Sequence, residues 1–98
     1  MTKHIRTQEL DDFDLADELT RRGIAYTERT VPTVGTWAGK AREIVYTSPD
    51  TGEARYCYVL DHRPDVDSWY ETIYTFDGPV RDEDLGAVID TLRREAAP

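Results

Sequence analysis

The sequence predicts an α+β fold: a single two-layer domain over residues 1–98 in the order α-β-β-β-β-α, with one four-stranded antiparallel sheet and the N- and C-terminal helices packed on one face. Three observations carry this expectation. Four segments of strand length are dense in β-branched and aromatic residues, no helical pattern falls between them, and an amphipathic helical pattern stands on either side. Without a helix to carry a crossover, strands adjacent in sequence are expected to pair antiparallel. Ninety-eight residues can enclose one hydrophobic core and not two.

Residues 1–8, with His4 among them, show no pattern and are expected to fray. The first helix is carried by "DDFDLADELTRRG": Asp11 or Asp12 is placed to cap it, acids fill its first turns, Arg21 and Arg22 fall in its last, and Gly23 can end it in a left-handed conformation. Phe13, Leu15, Ala16 and Leu19 project on one side, and Asp14, Asp17, Glu18 and Arg21 on the other. The strands are "IAYTERTV", "AREIVYTS", "EARYCYVL" and "WYETIYTF". Between the second and third, "SPDTGE" reads as a tight turn, with Pro49 preset for its first position and Gly52 free to take positive φ. The connection "PTVGTWAGK" before the second strand is longer and carries two glycines. After "DGPV", Asp82 can cap a second helix in which Leu85, Val88, Ile89 and Leu92 recur at helical spacing.

Helices on one face would leave the other side of the sheet open, and the chain is rich in large rings. Trp37, Tyr46, Tyr56, Tyr58, Trp69, Tyr70 and Tyr74 therefore form one candidate interaction set, because Tyr, Trp and Arg anchor protein contacts. Cross-strand pairing of amphipathic tyrosines accounts for such rings equally well. Asp14, Asp17 and Glu18 on the acidic side of the first helix form a second candidate set, suited to a basic partner, although charge runs on helices commonly just face water.

The stretch "LDHRPDVDSW" offers Asp61, His62, Asp65 and Asp67 as metal ligands, or His62 as a general base oriented by a carboxylate. Its spacing matches no calcium or zinc pattern, and Pro64 with short polar residues is also what a connection between strands requires. Cys57 is the single cysteine, so no internal disulfide or thiolate zinc cluster can form, and its place in a strand fits a buried thiol. No cofactor motif is present: the glycines are isolated, and neither serine lies in a nucleophile elbow.

Twenty acids against twelve bases give a net charge of −8, which repels nucleic acid unless the bases cluster, and the arginines are scattered from Arg6 to Arg94. The acidity also fits adaptation to high salt. No run of eighteen apolar residues exists, and "MTKHIRTQELDD" turns acidic where a signal peptide needs an apolar core, so a cytoplasmic protein without a membrane span is expected. The expected function is a small acidic, non-catalytic binding protein of inhibitor, immunity or adaptor type. It would act on a protein partner through the aromatic sheet face or the acidic helix, with homodimerisation as a variant. A small metal-dependent or general-base enzyme centred on His62 with Asp61, Asp65 and Asp67 is the alternative.

Overall fold

A computed structural model describes residues 2–32 and 41–96. The elements are β1 (His4–Asp11), α1 (Leu15–Arg21), β2 (Tyr26–Val31), β3 (Ala41–Thr47), β4 (Ala54–Asp65), β5 (Ser68–Phe76) and α2 (Asp82–Ala96). They build an α+β fold around one fully antiparallel sheet, ordered β1-β5-β4-β3-β2. Among the described residues no helix is long and apolar enough to cross a membrane.

Two features correct the expected architecture. The sheet has five strands, because the segment expected to fray is β1, paired with β5 from Arg6 opposite Thr75 to Asp11 opposite Tyr70. Its apolar content is slight and Ile5 is exposed, so backbone pairing at the sheet edge, more than side-chain burial, holds it. The second correction concerns the helices, which lie on opposite faces. Leu15 and Leu19 of α1 pack with Ile44, Cys57, Val59 and Ile73, whereas Leu85 and Ile89 of α2 pack with Val31, Ala41, Tyr58, Leu60, Tyr74 and Phe76. Successive strand residues point to opposite faces, so these two sets are the two sides of one sheet. The body is therefore three layers, and the central strands are enclosed from both sides: residues 57–60 and 71–76 are buried without interruption.

The ends of α1 show why it is short. β1 runs through Asp11, Asp12 turns the chain with φ of 50°, and its amide donates to the Trp69 carbonyl at 3.0 Å. Asp14, not Asp11 or Asp12, is the N-cap, its carboxylate accepting from the Asp17 amide at 3.1 Å. At the other end Gly23 takes φ of 70°, the Gly23 amide donates to Thr20 and the Ile24 amide to Leu19, closing a Schellman motif with Leu19 and Ile24 in the same cluster. The β3–β4 turn falls where "SPDTGE" places it: Gly52 has φ of 73° and the Ser48 amide donates to Glu53 at 2.8 Å. The "PTVGTWAGK" connection lies, after Pro32, outside the described residues.

Candidate functional site

Two sites stand out, and both grow from the β4–β5 hairpin. The first is a charged cluster inside the α1 face. Alternation along the strands brings Glu28 of β2, Arg42 of β3, Asp61 of β4 and Glu71 of β5 to this face, with Asp61 directly opposite Glu71. Glu71 is completely buried. Its Oε1 accepts from the Leu15 amide at 3.0 Å and its Oε2 from Arg42 Nη2 at 2.5 Å. Arg42 also donates to Glu28 Oε2 at 2.7 Å and lies 3.6 Å from Asp61 Oδ1, so three carboxylates surround one guanidinium.

Burial pushes the Glu71 carboxyl up to about 7, and its hydrogen bond with Asp61 and the negative charge there push the same way. The Leu15 amide and Arg42 oppose this and do not overcome it. Arg42 Nε is a buried donor without a hydrogen-bond partner, a further cost of placing this side chain inside. The cluster ties the start of α1 to β3, β4 and β5. Because Glu71 has no exposed surface, it offers no atom to a substrate.

The second site is the end of the hairpin. β3 pairs with β4 only as far as Leu60, opposite Ala41, so among the described residues β4 beyond Leu60 pairs with β5 alone. The strands shift register between His62 and Asp65, and Asp67 donates its amide to Asp65 Oδ1 at 2.9 Å across the turn. That bond holds the Asp65 carboxyl below its ordinary range. On the α2 face the His62 and Tyr70 rings stack at 4.3 Å and 3°, with His62 Nε2 3.0 Å from Thr72 Oγ1. Burial lowers the His62 imidazole below its ordinary value, favouring its neutral form. On the α1 face the Arg63 guanidinium sits 5.5 Å over the Trp69 ring. Val66 lies in the turn between Asp65 and Asp67, 99% exposed.

The sequence-predicted residues are dispersed by this arrangement. Tyr58 and Tyr74 are core residues beneath α2, and Tyr56 packs against the same cluster. Tyr46 lies half-buried beside the α1 cluster, and Trp37 falls outside the described residues. Trp69 and Tyr70 are partly exposed, as are Tyr46 and Tyr56, but the Trp69 and Tyr70 rings point to opposite faces, and the open aromatic sheet face is replaced by one helix on each side. In α1, Asp14 is spent on capping, while Asp17 and Glu18 both reach Arg21, at 3.8 and 3.0 Å. The metal set is divided as well: Asp61 faces the charged cluster, His62 the opposite side, and Asp65 and Asp67 shape the turn. Among the described residues no group of three His, Cys, Asp or Glu side chains is placed to hold a metal ion.

Glu71 and Arg42 are the residues that sequence reasoning missed. The signal was an acid in the middle of "WYETIYTF", where every neighbour suits an enclosed strand. No family model matches the chain, and neither the curated proteins nor the solved structures searched contain a match to it.

Proposed function

We propose that this is a small acidic, non-catalytic binding protein that works through protein contacts, with the β4–β5 hairpin end as its contact element. The observation that carries the reading is Val66, fully presented to solvent at the turn of a hairpin that carries two preassembled stacks, Arg63 on Trp69 on one face and His62 on Tyr70 on the other. Trp, Tyr and Arg are the side chains that dominate binding energy at protein interfaces. Here they are already held by stacking, so less rotamer freedom is lost on association. Asp65 and Asp67 flank the valine, so the fitting partner surface is a shallow apolar pocket with a basic rim. The acidic outer side of α1 is the weaker candidate, since Asp17 and Glu18 are engaged by Arg21.

The test compares immobilised wild-type protein with Val66→Asp and Trp69→Ala in extracts of the source cells, with mild cross-linking. A partner retained by the wild type and lost from both variants, at unchanged unfolding midpoint, is the expected result. Equal retention by all three, or a retained protein whose cross-links map to α1 and not to residues 62–70, would sink the proposal.

A further inference from the structure

α1 has seven residues and is therefore about 10 Å long, far shorter than the strands beneath it. Along the flank of α1 that faces β1, the α1 face of the sheet opens into a cleft of about 310 Å³. Cys57 and Ile73 form its floor, Leu10, Phe13, Leu19 and Tyr46 its walls, and Arg6, Gln8, Glu18 and Arg22 its rim. The volume lies at the lower end of the range of small-molecule sites, about 300–1,000 Å³, and the combination of mostly apolar lining with a few convergent polar groups is typical of them.

The two arginines on this rim are without a charge partner, a state shared on the rest of the described surface by Arg63, which lies over the Trp69 ring, and Arg94, which bonds Thr91. In a protein with an excess of acids, Arg21, Arg29, Arg42, Arg55 and Arg81 are all in salt bridges. The Arg6 and Arg22 guanidinium groups have neither a hydrogen bond nor an ion pair among the described residues, and both stand on this one rim. They come from separate elements, β1 and the C-cap of α1. Burial raises the Tyr46 hydroxyl, whereas Arg6, Arg55 and Arg22 act on it in the opposite sense, which places three guanidinium charges around the same wall. Glu18, the acid on the rim, is already bound to Arg21 at 3.0 Å.

We propose that this cleft binds a small monocarboxylate with an apolar, preferentially aromatic, body: the carboxylate on Arg6 and Arg22, the body against Phe13, Leu19 and Ile73. Guanidinium forks match carboxylate geometry, and the Phe13 and Tyr46 rings suit offset or edge contact with a flat ring. The apolar remainder of the lining and the size of the cleft argue against a polyanion such as a nucleotide.

The experiment is an amide-resolved NMR titration of the intact chain with benzoate, phenylacetate and hexanoate, with acetate and phenylacetamide as controls. Saturable shifts centred on Leu10, Leu19, Cys57 and Ile73 are expected with at least one of the three larger acids. Affinity should fall about tenfold or more for phenylacetamide relative to phenylacetate, and for the Arg6→Gln/Arg22→Gln double variant, since each lost charge-assisted bond is worth at least that factor. Alkylation of Cys57, the only thiol, should slow as the acid saturates the site, and the double variant should unfold at the wild-type midpoint. Absence of saturation with all three acids, an amide that binds as well as its acid, full affinity in the double variant, or acetate equal to phenylacetate would each overturn the proposal.

Discussion

Replacing Glu71 with Gln should make the protein's stability respond differently to pH, and the size of the difference follows from the cluster. Glu71 is buried and meets Asp61 as well as Arg42, and its carboxyl is raised from 4.5 to about 7. The native fold thus holds this proton more tightly than the unfolded chain does. The associated stability is complete below about 4.5 and is lost as pH rises through about 7. Each tenfold in proton affinity is worth about 1.4 kcal/mol, and Asp61 is partly exposed and screened, so the loss is about 2–3 kcal/mol.

In the Glu71→Gln variant the side-chain oxygen would still accept from the Leu15 amide and the NH2 could donate toward Asp61, but the NH2 cannot accept from Arg42 Nη2 as the Glu71 oxygen does, a cost present at every pH, while Glu28 and Asp61 still neutralise Arg42. Urea unfolding of both proteins at pH 5 and pH 8 reads the effect as a difference of differences. This removes contributions from Asp65 and Asp82, whose carboxyls are lowered and act in the opposite direction. The expected result is a variant whose stability relative to wild type rises by about 2–3 kcal/mol between pH 5 and pH 8, whatever the fixed offset from the lost Arg42 bond. Parallel pH profiles, or a wild type that gains on the variant as pH rises, would refute the reasoning.

Other substitutions test the packing. The Tyr58 hydroxyl accepts from the Val80 amide at 2.8 Å and donates to Glu43 Oε2 at 2.8 Å, so Tyr58→Phe leaves a buried amide unpaired. A loss of about 1–3 kcal/mol in urea unfolding is expected, with faster hydrogen exchange at Val80; no change in either would contradict the assignment. Asp14→Ala removes the side-chain cap of α1 and should cost about 1 kcal/mol, whereas Asp11→Ala and Asp12→Ala should leave the Asp17 amide as protected as in the wild type.

The sequence showed the helix stop at Gly23, the "SPDTGE" hairpin and the helical stripe of α2 because each rests on neighbouring residues. It did not reveal β1, whose residues "HIRTQELD" have no apolar alternation and become a strand only through the edge that β5 offers. The placement of the helices was more legible than the expectation allowed. "YCYVL" and "TIYTF" are nearly continuous apolar runs, the mark of strands enclosed on both faces, whereas a face open to water would require polar residues at alternate positions. The charged cluster was hidden for a different reason: Glu28, Arg42, Asp61 and Glu71 belong to four strands, and only the register brings them together. For the hairpin, residue types were informative and geometry was not. "DHRPDVD" reads as a polar loop, yet its first residues continue β4 and send Asp61 and His62 to opposite faces.

The strand made first is the one that must wait longest. β1 has no neighbour in the sheet until β5 has been synthesised, and the Lys3 carbonyl receives the Asp77 amide only across 74 positions of chain. β2, β3 and β4 can zip together locally well before that, so the growing polypeptide carries β1 as an unpaired ribbon, and this edge of the sheet closes last. On the ribosome, that interval is when Val59 and the thiol of Cys57, in a β4 not yet covered by β5, are least protected from unwanted association.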